Sequence, residues 1–268
     1  MITSVRRHCK DLRTLDEIDT RPIMAASLPN VSVIIPAYNE ERSLPLVLAA
    51  IPAGLVQEVV VVNNGSTDRT AEIAAQWGTT LVNEPRRGYG SACLAGLAQL
   101  RLRSPDIVVF LDGDFSDYPE EMPRLLAALR EEDCDLVVGS RVLGNAQPGS
   151  LMPQALLGNR LAVFLLRILY GVRYTDLGPF RAARYARLMK LGMADRTFGW
   201  TVEMQARAAL AGWKTKEVPV SYRKRVGTSK ITGTVGGTLR AGSKILSTLF
   251  LLRLSGGGSA SAPGVEKI

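Results

Sequence analysis

The chain has a single histidine, His8, in a polar N-terminal stretch, and three cysteines, Cys9, Cys93 and Cys134, scattered along 268 residues. A lone imidazole in such a stretch argues against a histidine-based catalytic triad and against a histidine-rich metal site. An odd, dispersed set of thiols forms neither a disulfide framework nor a zinc spacing and points to a reducing compartment. Long apolar runs are missing as well. Residues 161–172 are interrupted by Arg167 and residues 245–252 end at Arg253, short of the roughly 20 residues that cross a bilayer. Residues 1–30 mix Arg and Asp and lack the apolar segment of about 7–15 residues that marks a secretory signal. Aromatic residues make up only 6% of the chain, and the basic second half lacks the interleaved aromatic platform expected of a single-strand nucleic-acid binder. The expected location is the cytoplasm, with peripheral contact at the inner face of the cell membrane left open.

What is present is enough apolar material for a sizeable core, 46% of the residues, and an uneven charge. Residues 1–155 carry 14 Lys and Arg against 20 Asp and Glu, whereas residues 156–268 carry 19 against 5. A basic surface attracts phosphates of any origin, so the asymmetry alone selects no partner. Short β-branched runs at 31–36, 59–62, 79–82, 107–111 and 136–138 alternate with helical apolar spacing at 41–51, 67–77, 90–102 and 120–130. This β-α-β-α succession predicts an α/β fold with a mostly parallel, Rossmann-like sheet covered by helices on both faces. Ligands of such sheets sit beyond the carboxyl ends of the strands. Further on, 156–170, 200–211 and 234–254 read as helices and 218–222 as a strand. The expected organisation is a flexible leader over 1–29, an α/β domain over 30–230, an amphipathic helical segment over 231–254 and a flexible tail over 255–268.

The turns after the predicted strands carry the chemistry. The first strand runs into Pro36-Ala37-Tyr38-Asn39-Glu40, the second into Asn63-Asn64-Gly65-Ser66-Thr67-Asp68, and the fourth into Asp112-Gly113-Asp114. Two carboxylates one residue apart at the end of a buried strand repel each other, and a hard divalent cation removes that repulsion and bridges to phosphate oxygens. The stretches VSVIIPAYNEE, VVVVNNGSTDRT, RRGYGSA and VVFLDGDFSDYPE, in this order and spacing, resemble the family 2 glycosyltransferases of GT-A fold. The segments Thr175 to Ala182 and Arg223 to Lys230 are similar to those of the dolichyl-phosphate mannose and glucose synthase branch. The likeness covers residue 31 to about 250.

This resemblance implies a division of roles. Pro36, Ala37, Tyr38 and Glu40, together with Asn63, Gly65 and Ser66, and with Arg87 and Gly88, would hold a UDP- or GDP-sugar, beside Asp112 and Gly113. Asp112 and Asp114 would hold Mg²⁺ or Mn²⁺ on the diphosphate. Arg141, Arg160, Arg223, Arg225, Ser229 and Lys230 would face the acceptor or the leaving diphosphate. Two positions depart from the pattern. Asn63-Asn64 stands where relatives have two aspartates, which leaves the nucleobase open, and Ser116 stands where the mannose branch has a Gln at the metal. Asp176 reads either as a buried structural carboxylate or as a general base, and Glu203 allows the same two readings. The expected reaction is metal-dependent, inverting transfer of a hexose to a polyprenyl phosphate, which is already anionic and needs orientation more than a base. The alternative is transfer to a soluble or lipid hydroxyl, which requires such a base. An oxidoreductase is disfavoured because no glycine fingerprint follows the first strand. The amphipathic stretches at 156–170 and 234–254 are expected to meet a membrane surface or a second subunit.

Overall fold

A computed structural model describes residues 29–227 and 235–255 of the protein. The elements are, in chain order, β1 (Val31–Ala37), α1 (Leu44–Ala50), β2 (Glu58–Asn63), α2 (Thr70–Gln76), β3 (Thr80–Asn83), α3 (Tyr89–Leu100), β4 (Ile107–Phe110), α4 (Met122–Glu131), β5 (Leu136–Ser140), α5 (Pro153–Tyr170), β6 (Arg181–Arg184), α6 (Tyr185–Lys190), α7 (Trp200–Leu210), β7 (Thr215–Pro219) and α8 (Val235–Ser255). The seven strands form one sheet in the order β3-β2-β1-β4-β6-β5-β7. All neighbours run parallel except β6, which is antiparallel to both β4 and β5.

The uninterrupted apolar strands follow from burial on both faces. In β1, Ile34 points into one core cluster with Val60, Phe110, Leu97 and Trp200, while Val33 and Ile35 point into another with Val61, Leu44 and Leu125. Helix α3 is drawn tightly onto β1. A Cβ at Gly96 would lie 2.6 Å from Ile34 Cγ2, so glycine here permits the close approach. The chain order reverses between β1 and β4, which parts the loops after these two strands and opens a crevice at their carboxyl ends.

The structure departs from the expected elements in the second half. The stretch Arg181-Ala-Ala-Arg184, which carries no strand-like pattern, forms β6. Arg181 is wholly buried there and donates to the carbonyls of Leu177 (3.0 Å), Gly178 (3.1 Å from Nε) and Thr201 (3.1 Å). The last strand lies at Thr215–Pro219 and not at 218–222, because its parallel partner β5 ends at Ser140 opposite Pro219. Of the expected leader over 1–29 and tail over 255–268, residues 1–28 and 256–268 lie outside the described residues, and Ser255 closes α8.

Candidate active site

The crevice between β1 and β4 is built from the turns singled out in the sequence. The turn after β1 is tied to the turn after β2: Asn39 N donates to Ser66 Oγ at 3.0 Å, Glu40 N to Thr70 Oγ1 at 2.8 Å, and Thr67 N to Asn39 Oδ1 at 2.8 Å. Asn63 accepts from Ser66 N (3.0 Å) and donates to Asn83 (2.9 Å). Asn63, Gly65 and Ser66 therefore shape the turn without lining the cleft. Where the sequence reading puts Asn63 at the donor, it is the next residue, Asn64, that lines the cleft. Asn64 is buried, donates to the carbonyls of Glu84 (3.0 Å) and Arg86 (2.8 Å), and accepts from Gly88 N at 2.8 Å. It thereby holds the Arg87–Gly88 loop over the cleft.

A cleft lined by Pro36, Ala37, Tyr38, Glu40, Asn64 and Arg87 on one side continues to Gly88, Tyr89 and Asp112–Asp114 on the other, with Phe198 and Arg225 at its edge. The Arg87 guanidinium stacks 3.2 Å from the centre of the Tyr38 ring. Gly88 has φ +143°, and Cβ atoms at Gly88 and Gly90 would each come within 2.1 Å of a backbone carbonyl, of Arg196 and Asp195 respectively. Only glycine lets the segment 193–199 pack this closely, and that packing brings Phe198 to the cleft.

The aspartates stand at the floor. Asp114 accepts from Ser116 N at 2.9 Å and from its hydroxyl, and its other oxygen is paired with Arg225. Asp112 Oδ1 is buried without a hydrogen-bond partner among the described residues, as are both carboxyl oxygens of Asp117. Burial, then the charge of Asp114, pushes Asp112 up to about 7 against the pull of Arg225, and burial drives Asp117 up as well. An orphaned buried oxygen beside a second carboxylate fits a divalent cation, and Arg225 is a stand-in positive charge at that place. No group of three His, Cys, Asp or Glu side chains converges to hold a metal among the described residues. The donor set therefore suits a cation that completes its shell with substrate phosphate oxygens and water.

Two further cavities meet the cleft at Asp112. One, about 470 Å³, is lined by Arg141, Lys224 and Arg225 with Gly149, Ser150 and Gly227. The other, about 280 Å³ and mostly apolar, lies between α5 and α8, with Ala155, Gly158, Leu177, Pro179, Phe198 and Ile245 along its walls and Arg141 at its inner end. Arg141 is common to both. Its Nε and Nη2 each donate to Asp176 at 2.7 Å, and its backbone N does so at 2.9 Å. Glu217 on β7 accepts from the backbone N of Thr175 (2.8 Å) and Asp176 (3.0 Å), and Asn159 of α5 clamps Thr175 O and Leu177 N, both at 2.9 Å.

Both candidate bases are thus committed. Asp176, 1% exposed, is sealed in a bidentate pair with Arg141. Glu203 is buried on α7 and bonded to Arg207 (2.7 Å) and to the backbone N of Ala194 (3.0 Å) and Asp195 (2.7 Å). Among the expected acceptor residues, Arg225 and Arg141 reach the cavities. Arg160 does not, since it lies on the exposed face of α5. Arg223 is sandwiched between the rings of Phe115 (3.6 Å) and Tyr118 (3.7 Å) and donates to Asp117 O at 2.9 Å, so it braces the loop after β4. Ser229 and Lys230 lie outside the described residues. Sequence reasoning missed Asn64, Tyr89, Phe198 and Lys224. The doubled asparagine was a visible signal for the first, whereas Phe198 reaches the cleft only through tertiary packing.

Comparison with known proteins places these features in context. The family model described as "Glycosyl transferase family 2" matches residues 32–190. The chain is 42% identical over 214 residues to an uncharacterized glycosyltransferase of Mycobacterium tuberculosis (strain ATCC 25618 / H37Rv), covering 79% of this chain and 94% of the relative. It is 31% identical over 223 residues to the undecaprenyl-phosphate mannosyltransferase of Micrococcus luteus, covering 77% and 89%. Among solved structures, glucosyl-3-phosphoglycerate synthase of Mycobacterium tuberculosis in complex with Mn²⁺, UDP and phosphoglyceric acid superposes with a TM-score of 0.67 at 25% identity, covering 88% of this chain and 82% of that one.

Proposed function

The chain belongs to glycosyl transferase family 2 and has the GT-A fold, and from this premise we propose that it transfers a hexose from a UDP- or GDP-sugar to a polyprenyl phosphate with inversion. The observation that carries the reading is the meeting of three cavities at Asp112: the cleft between the strand-end turns, a cationic cavity and an apolar one. A phosphate in the cationic cavity, with its hydrocarbon in the apolar one, points one anionic oxygen at the sugar's anomeric carbon. A new C–O bond forms there as the bond to the diphosphate oxygen breaks, and the leaving nucleoside diphosphate takes the negative charge. No proton need be removed from such an acceptor, in keeping with the occupied carboxylates of Asp176 and Glu203.

The residues serve this displacement by position and charge. Asp176 holds the Arg141 guanidinium in one orientation, which lowers the reorganisation needed to receive a phosphate. Asn64 and Gly88 keep the Arg87 loop over the diphosphate end of the cleft. Asp112 and Asp114 would hold Mg²⁺ or Mn²⁺, which neutralises diphosphate charge when bound. Arg225, which lines both the cleft and the cationic cavity, would supply positive charge to the phosphates there. The solved relative's complex with Mn²⁺ and UDP supports the donor and metal parts, and the Micrococcus mannosyltransferase supports the lipid phosphate.

The test is an acceptor competition. Purified full-length protein with Mn²⁺ or Mg²⁺ is given UDP-glucose or GDP-mannose together with a short-chain prenyl phosphate, the matching prenol, or 3-phosphoglycerate. Glycosylated prenyl phosphate is the expected product. Glycosylation of the prenol or of phosphoglycerate alone overturns the assignment.

A further inference from the structure

Helices α5 and α8 lie side by side, and α7 packs against both, so each keeps an outer face turned from the core. On α5 this face carries Leu157, Leu161, Phe164 and Ile168, spaced by four, three and four residues and so aligned down one side. Three of them are largely in the open: Leu157 at 69%, Phe164 at 57% and Ile168 at 64% exposure. On α8 the exposed large residues are Phe250, Leu251 and Leu254. A continuous line of bulky apolar groups on a surface marks an interaction site. No helix among the described residues is long and apolar enough to cross a membrane, so spanning does not account for it.

The charges on these helices select the partner. Neither α5 nor α8 contains an Asp or Glu, and Arg160, Arg167 and Arg253 are exposed among the apolar residues. Guanidinium groups that reach past buried methyl groups to phosphates suit an anionic lipid interface. A second copy of the chain fits less well: an isologous pair would bring these arginines together with no carboxylate on either helix to meet them. The apolar cavity that ends at Arg141 lies between the same two helices, with Ala155 and Gly158 on one wall and Gly242 and Ile245 on the other.

We propose that the outer face of α5 and α8 docks on an anionic bilayer and turns the apolar cavity towards it, so that a lipid-borne phosphate reaches Arg141 without its chain crossing water. The docking stands on the helix faces alone, while the delivery role rests on the lipid-phosphate reading of the site.

Flotation of the full-length protein with vesicles of phosphatidylcholine, alone or mixed with phosphatidylglycerol, tests it. Binding to the mixed vesicles only, weakened by salt, is expected. The double variant R167E/R253E is expected to lower partitioning by at least ~25-fold, taking about fivefold per arginine removed, and L157S/F164S to abolish flotation. Both variants should melt like the parent and glycosylate a water-soluble short-chain prenyl phosphate at the parental rate without vesicles. Absence of flotation, indifference to phosphatidylglycerol, or a parental dimer in sedimentation that L157S/F164S converts to monomer overturns the docking. A parent that floats but never uses the short-chain acceptor defeats the acceptor reading and leaves the docking intact.

Discussion

At the residue scale, the site is governed by carboxylates whose environments differ sharply. Asp112 is held near 7 by burial and by Asp114, above its value in the unfolded chain. The folded protein therefore binds the extra proton between about pH 4 and 7 while the unfolded chain has released it, so stability falls as pH rises through that window. Asp112→Asn removes this penalty. Its melting temperature in metal-free buffer is expected to match the parent's near pH 4 and to exceed it at pH 7.5, whereas sugar transfer drops at least about a hundredfold. Asp176 makes a different case. Removing one partner of a buried ion pair costs about 3–5 kcal/mol, so Asp176→Asn is expected to lower urea stability by that order and to raise KM for the phosphate acceptor. The pH profile of kcat should keep its shape if Asp176 serves, as proposed, to position Arg141 and not to transfer a proton. Loss of the alkaline or acid limb in that variant would restore the general-base reading. Arg181 shows how a residue can be decisive without meeting substrate: its wholly buried guanidinium is satisfied by backbone carbonyls alone and fixes the loop that carries Asp176.

Among the elements, two close approaches set the geometry of the donor side. Helix α3 touches β1 through Gly96, and Gly96→Ala is expected to destabilise the fold by about 1–3 kcal/mol through overpacking against Ile34, measured by urea denaturation with an unchanged m-value. The second approach joins α8 to the cleft. Asp195 accepts from Thr197 N (2.7 Å) and pairs with Lys244 of α8 (3.0 Å), while the neighbouring backbone receives Ser91 N on Arg196 O at 2.9 Å. One buried carboxylate therefore links α8, the segment 193–199 and the start of α3. Asp195→Ala is expected to cost about 1–3 kcal/mol and to speed hydrogen exchange in α8 and at Gly90–Ser91 together. Faster exchange in α8 alone would show that the two are not joined. The element pattern explains what was readable beforehand. The strands β1, β2, β4 and β5 and helices α1–α5 follow hydrophobic period, since burial on both faces demands continuous apolar runs. The strand β6 was unreadable because two arginines flank two alanines, and its place is dictated by pairing with β4 and β5.

On the scale of the whole molecule, the acidic first half contributes the carboxylates at the cleft floor, and the basic second half contributes Lys224 and Arg225 and the exposed arginines of α5 and α8. Arg141 crosses that divide: it belongs to the acidic half yet lines both of the further cavities, held there by Asp176 from the basic half. Ligand binding should tie the halves together. UDP or GDP with Mn²⁺, at about a hundredfold above Kd, is expected to raise the melting temperature by roughly 5–10 °C, and EDTA should remove most of that shift. An equal shift with and without EDTA would argue against a cation at Asp112 and Asp114. The mostly parallel α/β sheet, the polar turns at the strand ends and the aspartate pair were legible in the sequence, because strand periodicity and local motifs are properties of neighbouring residues. It took long-range packing to establish that Asn64 and not Asn63 lines the cleft, that Asp176 and Glu203 are bound up in ion pairs, that Arg160 and Arg223 stand apart from the cavities, and that three cavities meet at Asp112. Those outcomes depend on which distant side chains compete for the same charged group, and packing alone settles that competition.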